Sequence, residues 1–145
     1  MRHGADAVIA SRSLPRVSEA AKRLEAGTGR ACMAVSMDVR KPDAVVKAVE
    51  AAVARFGKID ILVNGAAGNF LCPASGLSYK GFKTVMEIDA IGSWNVARAV
   101  FDASFKDHGI AWWWCGGLVR RWRGLMTTQC RWSDIEHHGD AALQG

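Results

Sequence analysis

IDILVNGAAGNF, residues Ile59 to Phe70, is the stretch on which the fold reading turns. Ile59, Ile61, Leu62 and Val63 flank a single aspartate, and the chain then passes at once into Asn64 and small residues. A short apolar run bounded by glycines suits a strand buried on both faces of a parallel sheet. In open sheets of that kind, ligands bind in the crevice beyond the carboxyl ends of the strands. Asn64, Gly65, Ala66, Ala67 and Gly68 fall there, small enough to let a ligand approach the backbone. Taken alone, the same residues also suit an ordinary turn.

Upstream, after Asp38, Val46, Val49, Val53 and Phe56 recur at helical spacing until Gly57 stops the pattern. This predicts a helix feeding the strand. Before it, Cys32 to Met37 (CMAVSM) reads as another strand. Earlier still, Leu14, Val17, Ala21 and Leu24 form one stripe of an amphipathic helix. Pro15 stands near its start, and Gly27 and Gly29 just past its end. Ala7 to Ser11 (AVIAS) reads as a short buried strand. Downstream of the opening stretch, Tyr79 to about Ile88 and Ile91 to Lys106 read as two helical segments. Three strands alternating with helices are the rhythm of a parallel α/β sheet.

At Gly109 the rhythm stops. Five of the six tryptophans fall beyond it, at 112, 113, 114, 122 and 132, with no period of either kind. The sequence therefore divides into residues 1–109 and a divergent tail, 110–145, expected to be exposed and poorly packed. Cys115, Cys130, His137 and His138 match no zinc spacing, whose paired ligands sit two to five residues apart, so no metal is expected. Arg120, Arg121, Trp122 and Arg123 mix cations with an aromatic ring, but no stacking platform supports a nucleic-acid partner.

A chain of 145 residues is long enough for one real core. With half its residues hydrophobic and 23% charged, it reads as globular rather than disordered. No apolar run approaches the roughly 20 residues that span a bilayer, and no membrane partner is expected. The N-terminus has only Ala7 to Ala10 as an apolar run, too short for the centre of a secretory signal. Cys32, Cys72, Cys115 and Cys130 are then most simply thiols in a reducing compartment. The net charge of +5 favours a phosphorylated small ligand without arguing for nucleic acid.

Four places carry candidate chemistry. Arg12, Ser13, Leu14, Pro15 and Arg16 follow the first strand with no carboxylate among them. In dinucleotide-binding sheets an acidic residue at such a strand end takes the adenosine ribose, whereas an arginine accommodates the 2′-phosphate of NADP. A guanidinium suits phosphate because it donates two parallel charge-assisted bonds. Asp38, Val39 and Arg40 follow the second strand: the carboxylate can accept from an adenine amino group, and the valine can pack on the ring. Asn64, Gly65 and Ala66 open the third loop, and Asp89 with Asn95 lies in EIDAIGSWN. Each also has a plain reading, as a basic helix start, a carboxylate at a helix N-terminus, a turn, and a solvated helix face.

The order ASR, MDV, GKIDILVNGAAG and IDAIGSWNV resembles the short-chain dehydrogenase/reductase family over about residues 1–109. Within that family IASRSLPR, DILVNGAAGNFLCP and FKTVMEID are similar to the peroxisomal 2,4-dienoyl-CoA reductases. The resemblance implies a partial Rossmann-type doubly wound sheet and NADPH-dependent reduction of 2,4-dienoyl-CoA to 3-enoyl-CoA, a step in unsaturated fatty acid β-oxidation. It implies cofactor contacts at Arg12 to Arg16, Asp38, Val39, Asn64, Gly65 and Ala66. Acyl-CoA contacts are implied at Arg12, Arg40, Phe70, Ser78, Tyr79 and Lys80. Asp89 stands where most of the family has asparagine, and the resemblance gives it a catalytic role: to orient or activate a water that protonates the substrate.

The pattern also departs from the family. No G-x-x-x-G-x-G occurs, so the first strand and the glycine-rich turn that meets the pyrophosphate are not matched. Tyr79 lies too early for a Y-x-x-x-K, and no lysine follows Lys106. The catalytic lysine and the later strands are therefore also unmatched. The abrupt tail suggests alternative splicing or a shifted reading frame. Weak stability and little or no turnover are expected, with bare sheet edges. A non-catalytic fragment that pairs with a full-length subunit, or a homo-oligomer, is the alternative in another class. Another short-chain acyl-CoA oxidoreductase is the third. The family implies peroxisomes, whereas Leu143-Gln144-Gly145 is no S-K-L address and suggests the cytosol.

Overall fold

The computed structural model describes residues 1–68, 72–108 and 113–115. Four strands form two parallel pairs. β1 (Ala7–Ser11) lies on β2 (Cys32–Ser36), from Ala7 opposite Cys32 to Ser11 opposite Ser36. β3 (Leu62–Asn64) lies on β4 (Trp113–Cys115). α1 (Leu14–Thr28) joins β1 to β2, and α2 (Pro42–Phe56) joins β2 to β3. After β3 come α3 (Tyr79–Met86), α4 (Gly92–Val100) and α5 (Lys106–His108).

The punctuation acts as the residue chemistry requires. Both α1 and α2 carry a proline in their first turn, where a missing N–H costs nothing. Gly29 ends α1 in the left-handed conformation, φ 65°, and its N–H donates to the Glu25 carbonyl. Gly27, expected beyond the helix, lies inside it, because only Gly29 adopts the dihedrals that reverse the chain. Gly57 closes α2 as expected, at φ 83°.

The core lies where α2 packs against α4 below β3. Val45, Val49, Val96, Val100 and Phe105 are buried there, with Met37, Val39, Ile59 and Leu62 against them. The stripe expected on α2 is rotated. Val45, Ala48, Val49 and Ala52 are buried, whereas Val46 faces solvent and Val53 and Phe56 are half-buried. Ala48 and Ala52 share the buried face with Val45 and Val49, and residues that small allow another element to approach closely. On α1 only Val17 and Ala21 are buried, leaving Leu14 and Leu24 exposed at its ends.

Three further expectations are corrected. β1 and β3 were expected to be buried, β3 on both faces. Val8 on β1 is instead exposed, and Val63 on β3, beside Ile61, is 65% exposed. Each strand has only one neighbour among the described residues, so its other edge and one face stay uncovered. The two helices expected over 79–106 are one continuous helical run. Helical dihedrals persist through π turns at Glu87–Ile91 and Phe101–Phe105. A π turn admits one extra residue without a break, which leaves no signal in the spacing of apolar residues. Finally, the strand rhythm does not stop at Gly109, since Trp113–Cys115 adds a fourth strand parallel to β3. The cysteines described with side chains, buried Cys32 and exposed Cys72, are free. Among the described residues no helix is long and apolar enough to cross a membrane.

Ser104 fixes the entry of β3. Its hydroxyl accepts from the Ile59 N–H at 2.8 Å and donates to the Ile59 carbonyl at 3.1 Å. At 1% exposure it would be costly to leave that pair unmade.

Candidate functional site

The loops beyond the carboxyl ends of β2 and β3 meet the segment 88–95 of the long helical run, and the end of β1 lies beside that of β2. Beyond β1, Ser13 precedes α1 without a side-chain capping bond, and Leu14, Pro15 and Arg16 form its exposed first turn. Arg12 is also exposed, and its carbonyl accepts a long bond from the Ser36 hydroxyl at the end of β2. Its positive charge lies close enough to Asp38 to help lower that carboxyl's pKa.

Asp38 and Arg40 grip each other. The guanidinium donates from Nε to both carboxylate oxygens (3.0 and 3.2 Å) and from Nη2 to Oδ2 (2.6 Å). The Arg40 N–H adds a bond to Oδ1 at 3.1 Å. These bonds, with Arg12 nearby, hold the Asp38 carboxyl down at about 2, against 3.8 for an ordinary one, despite partial burial. Arg40 is raised in turn by Asp38, with Glu87 assisting. The sequence gives Asp38 to adenine and Arg40 to acyl-CoA, but the structure shows them first bonded to each other. A ligand has to share or displace these bonds.

A lowered carboxyl pKa means stability that is complete above the unfolded value, near 3.8, and is lost as pH falls through about 2. Asp38→Asn is therefore expected to destabilise the chain at neutral pH by about 1 to 2 kcal/mol, allowing for the partly solvated Arg40. Urea unfolding of both chains between pH 7 and pH 2 checks this. The difference should shrink as pH falls below 3.8, and a gap independent of pH would contradict it.

On the far wall, Asn64 is buried and its Nδ2 donates to the Ser93 carbonyl at 3.2 Å. Gly65 is exposed, and a Cβ there would meet nothing within 4 Å, so the loop offers open backbone to a ligand. Ala66 is half-buried beside it. Asp89, half-buried in the first π turn, accepts from the Gly68 N–H through Oδ1 at 2.8 Å. π turns recur at functional sites because they re-aim single side chains.

The residues expected at acyl-CoA are less gathered. Ser78 is the N-cap of α3, accepting from the Gly81 N–H at 3.0 Å. Tyr79 is 99% exposed and Lys80 is exposed beside it. Phe70, most of the tail, and with it Cys130, His137 and His138, lie outside the described residues. A shallow cavity opens next to Arg40, lined also by Lys41, Pro42, Asp43, Ala44 and Lys47.

Three residues were missed by the sequence reading. Ser104 holds β3, Ile88 fills the space at Gly68, and Gly92 takes Val39 against the helix backbone. A glycine inside a helix costs about 1 kcal/mol relative to alanine, and that alone could have flagged a close approach at Gly92.

Parallel strands joined by helices, with polar residues beyond their carboxyl ends, define a partial α/β unit of the Rossmann type. The chain belongs to the short chain dehydrogenase family, whose pattern matches residues 1–109. It is 62% identical over 109 residues to the peroxisomal 2,4-dienoyl-CoA reductase, (3E)-enoyl-CoA-producing, of Rattus norvegicus, covering 75% of this chain and 37% of that protein. The enzyme of the same name from Danio rerio is 55% identical over 109 residues, covering 75% and 36%. The chain thus spans little more than a third of the length of these curated relatives. Among solved structures, the Thermococcus sibiricus alcohol dehydrogenase complexed with 5-hydroxy-NADP superposes with a TM-score of 0.71 at 26% identity. That match covers 77% of this chain and 48% of the other.

Proposed function

We propose that residues 1–109 are the cofactor-facing and acyl-CoA-facing part of an NADPH-dependent 2,4-dienoyl-CoA reductase acting in fatty acid β-oxidation, with 110–145 divergent in sequence. The observation that supports this reading is that the helical segment 88–95 bonds the loops after both β2 and β3: Asn95 Nδ2 donates to the Val39 carbonyl beside the Asp38–Arg40 pair, and Asp89 accepts from the Gly68 N–H. The donor set fits the cofactor: among the described residues Arg12 and Arg16 make no ion pair and stand free for a 2′-phosphate. Bound NADPH supplies a hydride. The chain's own residues do the rest. Arg12 and Arg16 hold the phosphate, Asp38 and Val39 face the adenine, and Asn64 to Ala66 form the wall. Asp89, with one oxygen fixed by Gly68, orients the water that delivers a proton. Arg40, Ser78, Tyr79 and Lys80 face the acyl-CoA, a role that the family resemblance also gives to Phe70. The peroxisomal names of the relatives support that compartment.

NADPH consumption on adding a 2,4-dienoyl-CoA tests the reading. NADPH should bind more tightly than NADH, any turnover by this chain should be slight, and Asp89→Ala should abolish it while leaving NADPH binding within about twofold. Equal affinity for the two cofactors, or turnover untouched in Asp89→Ala, would sink it.

One observation favours a second, non-catalytic reading. β1 and β3 each keep a bare edge among the described residues, with Val8, Ile61 and Val63 exposed nearby. Such edges recruit strands from other chains. Co-purification with a full-length reductase subunit supports this reading, and monomeric behaviour in its presence removes it.

A further inference from the structure

One helix face holds both walls of the crevice. Towards β3, Asp89 takes the Gly68 N–H, and a Cβ on Gly68 would stand 2.6 Å from Ile88 Cδ1. Towards β2, the Asn95 Nδ2 donates to the Val39 carbonyl at 2.9 Å, across 56 residues of sequence. One turn earlier, Gly92 is buried against the same valine. A Cβ there would stand 2.5 Å from Val39 Cγ2 and 3.0 Å from its Cβ. Valine is stiff at χ1, so it cannot swing aside. Val39 is thus gripped at its carbonyl and at its side chain. Its neighbours Asp38 and Arg40 are bonded chiefly to each other, which fixes their pair but not where the turn sits.

We propose that Asn95, working with Gly92, is a positioning residue for the adenine end of the cofactor site. It sets where the Asp38–Arg40 turn presents Val39 and the Asp38 carboxylate to the ligand. The proposal rests on the reading of that turn as adenine-facing. Asn95 touches no ligand and acts through Val39. A purely structural asparagine would instead satisfy a half-buried carbonyl for stability, and its loss would weaken the whole chain evenly.

Two measurements on the full chain separate these roles. The first needs no ligand. The Arg40 and Lys41 amides both bond to Asp38, and their hydrogen exchange reports how firmly the turn is held. Asn95→Ala, and Asn95→Asp, which keeps the size but lacks the donor, should speed exchange there roughly five- to tenfold, as expected for one lost hydrogen bond. The β1–β2 ladder amides should be unchanged. The second compares half-cofactors. Affinity for adenosine 2′,5′-bisphosphate should fall by about the same factor, and affinity for reduced nicotinamide mononucleotide should not.

Unchanged exchange at Arg40 and Lys41 in both variants overturns the proposal, whatever binds. So does an even loss of affinity for both half-cofactors, or a uniform rise in exchange. A wild-type chain that binds neither half-cofactor overturns the nucleotide reading itself. The exchange result then still decides, separately, whether Asn95 holds the turn.

Discussion

Phe105→Ala is expected to lower the unfolding free energy by about 3 to 5 kcal/mol, the range for removing a large buried aromatic ring. Phe105 is 4% exposed and is the one aromatic among the fully buried members of the core, otherwise Val45, Val49, Val96 and Val100. Valines are short and β-branched, and those on α2 and α4 cannot lean into the void a ring leaves. The residue also sits next to Ser104, whose two bonds to Ile59 place the start of β3. Collapse around the cavity would disturb that anchor as well as the packing. Globular domains have only about 5 to 15 kcal/mol in total, so the alanine variant should lose a large fraction of its stability. Phe105→Leu, which retains most of the apolar volume, should cost about 1 to 2 kcal/mol and remain measurable. Urea midpoints of the two variants test the core directly. A loss below about 1 kcal/mol for the alanine variant would mean that α4 and the π turn Phe101–Phe105 do not pack on α2 as described.

The elements were legible because their signals are local. AVIAS, the Leu14 to Leu24 stripe, CMAVS and the helix closed by Gly57 all emerge as the strands and helices their periods predict. Depth of burial is not local. Val45 and Val46 are adjacent valines, and only the approach of α4 decides that the first is buried and the second exposed. Likewise, the apolar run at Ile59 to Val63 reads as doubly covered, whereas coverage depends on neighbours, which among the described residues flank only one edge of β3. β4 is the opposite case: Trp113–Cys115 has no period of its own and is a strand only through its pairing with β3.

The site divides in the same way. Arg12 and Asp38 could be placed at strand ends, and Asp89 in a helical stretch, from spacing and resemblance. Their mutual geometry could not, because Asn95 reaches Val39, and Ser104 reaches Ile59, across 56 and 45 residues. The Asp38–Arg40 pair lies between these cases. A separation of two residues in a turn allows such a grip, but only the coordinates show that it is made with both carboxylate oxygens. That grip has a consequence for selectivity. With Arg40 committed to Asp38, the cations left for a phosphate at the end of β1 are Arg12 and Arg16.

Arg12→Ala is therefore expected to weaken NADPH binding about 10- to 100-fold while leaving NADH within about twofold. The range follows from losing charge-assisted bonds worth about 1.5 to 3 kcal/mol. Arg12 is exposed, so part of its attraction is already screened, and the effect should be largest at low ionic strength. Arg16 lies four residues on, in the exposed first turn of α1, and can take over some of the phosphate, which argues for the lower end in the single variant. Arg12→Ala with Arg16→Ala should reach the upper end. Removing Arg12 also takes away one of the weaker charges that hold the Asp38 carboxyl low, so that pKa should rise slightly. At neutral pH this leaves Asp38 ionised and the Arg40 pair intact, so adenine-side binding should not be lost with it. Fluorescence titration of both cofactors against the wild-type and variant chains gives the comparison. An equal fall for NADPH and NADH would show that Arg12 supports the fold of the first turn of α1 rather than the 2′-phosphate.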